Sequence, residues 1–159
     1  MATFNNRVLI VDDEHEIVDS LKNVLVNSSE NEAISNSSKE LFGEKKDEGR
    51  SLFVDVALSG SQGLEKVKES LDKLSPYAVI FLDIRMPNQD GVQTAFKIRE
   101  MDPFIEIIFM SAFSDYSPEE LYGFFGRKFP FLTKPFSKDD ALREVNESLL
   151  RWNDKAYRS

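Results

Sequence analysis

Residues 79–91 read VIFLDIRMPNQDG: an apolar, β-branched run that stops on the carboxylate of Asp83 and then breaks at Met86-Pro87 and Asp90-Gly91. Its length and composition predict a strand buried on both faces, as in a parallel sheet covered by helices on each side. Such a strand does not end on an acid without a reason, because a buried charge needs a partner or a task. Working outward, the same kind of run recurs at 7–12 (RVLIVD), 53–59 (FVDVALS), 105–111 (IEIIFMS) and 129–133 (FPFLT). Between the runs lie helical patterns. One spans about Glu14 to Val26 with Ile17, Leu21, Val24 and Leu25 on a stripe, and another is capped by Ser61 and runs to about Leu74. A third starts after Gly91 and ends before Asp102-Pro103, a short one covers 118–125, and the last is capped by Ser137 and reaches about Trp152. Alternating strands and helices predict an α/β fold: a doubly wound, five-stranded parallel sheet in order 2-1-3-4-5, a flavodoxin-like three-layer sandwich.

One segment breaks the rhythm. Residues 27–51, NSSENEAISNSSKELFGEKKDEGRS, stand where a compact connection needs only about 2–6 residues. Their Ser, Asn, Glu and Lys content predicts a polar insertion at 28–50, mobile and outside the core, with Ser37 and Glu40 as caps of a short helix in the ordered alternative. Residues 153–159 read as a tail, so the 159 residues make one domain. Twenty-eight acids against twenty Lys and Arg give a net charge of −8, which argues against direct nucleic-acid binding. The absence of cysteine excludes disulfides and thiolate metal sites, and no apolar stretch is long enough for a signal or a membrane span, so a cytoplasmic protein is expected.

The acids now fall into place. Ligand sites in an open parallel sheet form outside the carboxyl ends of its strands. The first predicted strand ends on Asp12-Asp13, the third on Asp83, the fourth on Ser111, and the fifth is followed by Lys134. Crowded carboxylates repel one another unless they share a cation, and an all-oxygen ligand set favours a hard ion, most simply Mg²⁺. Mg²⁺ beside a lysine and a hydroxyl suits a phosphoryl group, and the chain has no glycine-rich loop for a nucleotide.

Four stretches, VLIVDDE (8–14), LDIRMPNQDG (82–91), MSAF (110–113) and LTKPF (132–136), resemble in order the signatures of the response regulator receiver domains of two-component signal transduction, the chemotaxis regulators among them. The resemblance implies that Asp83 accepts a phosphoryl group from the phosphohistidine of a sensor histidine kinase or phosphotransfer protein. It implies a Mg²⁺ site made by Asp12, Asp13, Asp83 and the main-chain carbonyl of Arg85, with Lys134 and Ser111 binding the phosphoryl oxygens. It further implies a switch through Ser111 and Phe131, a cis Lys134-Pro135 bond, and tuning of the acyl phosphate by Arg85 and Phe113. The domain would then act as a phosphoacceptor and not as an enzyme on other substrates. Its output would be self-dimerisation or partner binding through the face of the fourth helix, fifth strand and fifth helix.

Departures are few. Ser111 and Phe131 stand where threonine and tyrosine are commoner in that family, and Gly126-Arg127-Lys128 lengthens the approach to the fifth strand. Among alternatives, a Mg²⁺-dependent phosphohydrolase with an aspartate nucleophile calls for a second carboxylate two residues after the first, and that position is Arg85. A receiver-like scaffold acting by binding alone is the other. His15, the sole histidine, reads as a solvated residue in a first helical turn, and the aromatic FFGRKFPF at 124–131 reads as packing.

Overall fold

A computed structural model describes residues 4–40, 51–86, 89–112, 118–127 and 129–158. Five strands, β1 (Arg7–Val11), β2 (Phe53–Ala57), β3 (Val79–Asp83), β4 (Glu106–Ser111) and β5 (Phe131–Thr133), pair in parallel in the order β2-β1-β3-β4-β5. They alternate with α1 (His15–Glu40), α2 (Gly60–Asp72), α3 (Gly91–Met101), α4 (Pro118–Phe125) and α5 (Lys138–Arg158). After β3, Arg85–Met86 and Gln89–Asp90 form a small antiparallel ladder of their own. The predicted order is the one observed.

Period-two alternation explains the three layers. Leu9, Val11, Ile80, Leu82, Ile107 and Phe109 point to one face, where Val67 of α2, Ala95 and Ile98 of α3, and Leu121 of α4 cover them. Val8, Ile10, Val79, Phe81, Ile108 and Met110 point to the other, against Val18, Leu21 and Leu25 of α1 and Val145 and Leu149 of α5. Every residue of β3 is buried. Phe81 and Phe109 are fully buried, one on each face, and each contributes about 2–3 kcal/mol by leaving water.

Three boundaries differ from the sequence expectation. Helix α1 does not stop at Val26 but continues to Glu40, through the first half of the expected insertion. Residues 27–40 contain neither Gly nor Pro, so nothing in them ends a helix already propagating. The remainder, 41–50, lies outside the described residues. Helix α2 is capped by Ser59 and not Ser61: Ser59 accepts the Gln62 N–H at 3.1 Å, and the Gln62 side chain returns to accept the Leu58 N–H at 2.7 Å. The residues read as a tail belong to α5, which runs to Arg158. Asn153 pins this part by accepting the Asn5 N–H at 2.7 Å and donating to the Asn5 carbonyl at 3.0 Å. Lys155 pairs with the buried carboxylate of Glu106, so polar composition here marks specific partners and not a loose end. The Ser137 cap is as expected, with its hydroxyl accepting the Asp140 N–H at 3.0 Å.

Candidate functional site

Parallel pairing brings the strand ends together at one edge. Asp12 and Asp13 follow β1, Asp83 is the last residue of β3, Ser111 the last of β4, and Lys134 follows β5 directly. One carboxylate oxygen each from Asp12, Asp13 and Asp83 lies within 4.8 Å of the others. Asp12 and Asp83 are buried and Asp13 is half-buried. The Lys134 Nζ stands 2.7 Å from Asp12 Oδ2, 3.4 Å from Asp83 Oδ2 and 4.0 Å from Glu14 Oε2. The Lys134-Pro135 peptide is cis. Backbone amides hold the two buried acids in place: Asp12 Oδ1 accepts the Glu14 N–H at 3.0 Å, and Asp83 Oδ1 accepts the Arg85 N–H at 3.2 Å.

The electrostatics are those of a site short of positive charge. Burial and then the neighbouring Asp12 carboxylate push Asp83 up to about 7, against the pull of Lys134. Burial works against the charge on Lys134, yet its hydrogen bond to Asp12 and the Asp83 charge raise its pKa above the ordinary lysine value. One lysine thus serves two buried carboxylates and reaches toward a third, exposed one.

The remaining residues singled out from sequence are placed as follows. Ser111 is buried, and its carbonyl accepts the Lys134 N–H at 2.7 Å, which ties the end of β4 to the lysine. It sits one residue beyond Met110, the strand partner of Asp83. Phe131 is half-buried opposite Phe109 on β4, two strand positions before the Ser111–Thr133 pair. Arg85 begins the small ladder after Asp83 with its side chain in solvent. His15 opens α1 and is exposed. Phe113 lies outside the described residues. Of the aromatic stretch, Phe125 and Phe129 pack on Phe109 with ring centroids 6.1 and 5.4 Å away, whereas Phe124 is 47% exposed.

Sequence reasoning missed three features. Glu14 extends the acid cluster toward Lys134, and only the adjacency DDE hinted at it. Gly91 is required by packing, since a Cβ there would lie 2.2 Å from the Asp83 carbonyl oxygen; the Asp-Gly pair signalled a turn but not this approach. A groove of about 300 Å³ runs from Lys134 between α1 and the start of α5, with Ile17, Leu21, Pro135 and Phe136 in its walls, and no local motif announces it.

The family model for the response regulator receiver domain matches residues 47–146. The chain belongs to this family. Among relatives, "Transcriptional regulatory protein DltR" of Streptococcus agalactiae serotype III (strain NEM316) is 28% identical over 152 residues, covering 92% of this chain and 55% of that protein. "Transcription factor SKN7" of Chaetomium thermophilum is 32% identical over 97 residues, covering 60% of this chain and 12% of that protein. The chain thus spans little more than half of DltR and a small part of the transcription factor. A CheY-like receiver domain from Methanospirillum hungatei JF-1 superposes with a TM-score of 0.69 at 21% identity, covering 94% of this chain and 98% of that one. CheY in a complex with CheX, BeF₃ and Mg²⁺ from Borrelia burgdorferi superposes at 0.64 with 22% identity, covering 89% and 87%. Both share the receiver fold. The receiver is a regulatory phosphoacceptor module of two-component signalling, and none of the described helices is long and apolar enough to cross a membrane.

Proposed function

We propose that Asp83 is the phosphoacceptor and that the receiver switches protein–protein contacts when it is modified. The observation that carries this reading is Lys134 Nζ held between the Asp12 and Asp83 carboxylates at 2.7 and 3.4 Å, with Asp13 alongside. A carboxylate can attack phosphorus directly: an Asp83 oxygen forms the new P–O bond as the P–N bond of a partner's phosphohistidine breaks, giving an acyl phosphate and a free imidazole. The loose transition state of phosphoryl transfer asks for little covalent help and mainly for positioning and charge neutralisation. Lys134 supplies a buried cation, and the Arg85 amide fixes one Asp83 oxygen so that the other faces the site.

The donor set fits a divalent ion. Three carboxylate oxygens within 4.8 Å of one another, one on a group whose pKa is pushed up to about 7, are all-oxygen ligands that gain from added positive charge. Asp12, Asp13 and Asp83 would hold Mg²⁺, with the Arg85 carbonyl as a further ligand. When bound it supplies charge neutralisation for the transferring phosphoryl group. After transfer, Ser111 binds a phosphoryl oxygen and Phe131 turns toward the space that Ser111 leaves, altering the face of α4, β5 and α5. That face then binds a partner or a second copy, while a histidine kinase or phosphotransfer protein supplies the phosphoryl group. A phosphohydrolase is disfavoured because Arg85 occupies the place of its second carboxylate and turns its side chain to solvent.

Beryllofluoride with Mg²⁺, an acyl-phosphate mimic, tests the switch. Fluorine NMR should show a bound species in the wild type that is absent in Asp83→Asn. Light scattering and partner pull-down should then change only where it binds. Binding at Asp83 that moves neither mass nor partner capture would reduce the domain to a phosphate sink.

A further inference from the structure

Strand β2 ends the sheet on one side, with β1 as its one neighbour among the described strands. The direction of its main-chain groups follows from the register. The Phe53 N–H donates to the Asn6 carbonyl at 3.0 Å and the Ala57 carbonyl accepts the Asp12 N–H at 3.2 Å, so Phe53, Asp55 and Ala57 turn their groups toward β1. By the same alternation Leu52, Val54 and Val56 turn theirs to the open side, where no hydrogen bond from a described residue meets them. Leu58, next in that row, is closed off, because the Gln62 side chain accepts its N–H at 2.7 Å.

Exposed edges usually carry a guard, such as a very short strand, a lysine, a proline or a bulge. Strand β5, at the other side of the sheet, is blunted by its length of three residues. Strand β2 has five, with β-branched Val54 and Val56 at the open positions and no lysine or proline. Its one charge faces inward: Asp55 accepts the Tyr77 hydroxyl at 2.5 Å and lies 3.9 Å from Arg7. An unguarded row of N–H and C=O groups is a template for another strand.

The strand is complementary to itself in one register. Antiparallel pairing of two copies through their open residues can centre on Val54, Asp55 or Val56. Centring on Asp55 sets the two Asp55 side chains opposite each other, and like charges there repel. That register and the one centred on Val56 also call on Leu58, whose N–H is taken. Centring on Val54 avoids both faults. It pairs Val54 with its own copy and Leu52 with Val56 of the second copy, making roughly six N–H···O bonds. Phe53, 51% exposed, then stands opposite Asp55 of the second copy, and the Arg7 guanidinium 4.7 Å over the Phe53 ring brings a cation to that pair.

We infer that β2 is a self-association edge: two copies join antiparallel through Leu52, Val54 and Val56, so that their five-stranded sheets become one continuous sheet. This goes beyond the function proposed above and does not depend on it, since β2 lies at the side of the sheet away from β5 and no group around Asp83 takes part. The two faces of α4, β5 and α5 stand free at the far ends of the pair.

Three residues a side make a small contact, so the association is weak, with a Kd on the order of 100 µM. At that Kd, raising the chain from about 20 µM to about 1 mM lowers the monomer share from roughly three quarters to roughly one fifth. Sedimentation equilibrium of the whole chain, with no phosphodonor present, should follow that change. Over the same range the amides of Val54 and Val56 should exchange about fourfold more slowly, while exposed amides away from β2 keep their rates. Val54→Pro removes the central open N–H at an edge position that tolerates proline and should give a folded monomer. Val54→Ala loses the same packing but keeps the N–H, and should still associate. A chain that stays monomeric at the higher concentration overturns the inference. So does equal protection of Val54 and Val56 at both concentrations, which would mean a cover within one chain. Mass that rises without protection at these amides, or that rises in Val54→Pro as it does in Val54→Ala, places the contact on another face and overturns it too. Should Val54→Pro fail to fold, the exchange of the wild type decides. Asp83→Asn should associate as the wild type does, so failure here leaves the phosphoacceptor reading untouched.

Discussion

Replacing Gly91 by alanine probes the joint between the sheet and the site. The Gly91 N–H donates to the Ile84 carbonyl at 2.8 Å, drawing the first turn of α3 against the end of β3. A Cβ at this point would lie 2.2 Å from the Asp83 carbonyl oxygen and 2.6 Å from Ile84 Cα. Both neighbours are backbone, so no rotamer change relieves the clash; α3 must recede from β3 by about 1 Å to restore contact distances. Overpacking of this kind costs about 1–3 kcal/mol, and the rigid neighbours place Gly91→Ala at the upper end, about 3 kcal/mol. For a domain of this size that lowers the melting temperature by roughly 6–12 °C. Urea unfolding followed by circular dichroism, with and without Mg²⁺, measures it, and the stabilisation by Mg²⁺ should shrink because the displaced backbone carries the Asp83 carboxylate. A Gly91→Ala variant that unfolds within about 0.5 kcal/mol of wild type, the range of an ordinary surface change, would contradict this clash.

Lys134→Ala leaves two buried carboxylates without their shared cation and should lose about 3–5 kcal/mol in metal-free buffer, with part of the loss recovered on titrating Mg²⁺; chemical denaturation in the two buffers checks it. Glu106, buried on β4, is bonded by Arg151 at 2.9 Å and by Lys155. Although burial acts in the other direction, these hydrogen bonds hold its carboxyl below the ordinary glutamate value. A depressed folded-state pKa gives stability that is present above the ordinary value and lost as pH falls through the folded one. Glu106→Gln should therefore cost about 1.5 kcal/mol at neutral pH, the low end for a charged hydrogen bond because both cations are over a third exposed. Its acid unfolding limb should be shallower than that of the wild type in a pH series of denaturant midpoints. Deleting 28–50 should leave Mg²⁺ binding intact by calorimetry, since α1 starts beside Asp13 and leads away from the site; loss of the metal site on deletion would contradict that placement.

How much of this was legible in the sequence follows from the range over which each signal acts. The sheet order and both core faces follow from apolar runs whose alternate residues must face opposite layers, as Ile80 and Phe81 do. The acids at strand ends were legible because a hydrophobic run that stops on Asp83 has few physical explanations. Element ends were less legible where they depend on partners distant in sequence. Nothing near Asn153 or Lys155 tells that Asn5 and Glu106 will receive them, so α5 looked shorter than it is. The end of α1 failed differently: polar composition suggested a loop, while the lack of Gly and Pro through residue 40 let the helix continue. Gly91 and Glu14 were hidden because their importance lies in distances of a few ångströms across the fold, to the Asp83 carbonyl and to Lys134. The four motifs themselves are local; the three between residues 82 and 136 lie within the match over residues 47–146 that shows the family, and VLIVDDE at 8–14 lies before it.

The Asp83 carboxylate, set among Asp12, Asp13 and Lys134, is proposed above as a phosphoryl acceptor. Its most direct test is intact-mass spectrometry of the chain incubated with acetyl phosphate, followed by borohydride reduction to mark the acyl phosphate and peptide mapping. In the presence of Mg²⁺ a single phosphoryl group is expected, mapped to Asp83, that does not form when Mg²⁺ is chelated before acetyl phosphate is added and is absent in a folded Asp83→Asn variant. A phosphoryl group that persists in Asp83→Asn, or that forms equally well after Mg²⁺ is removed, would contradict it.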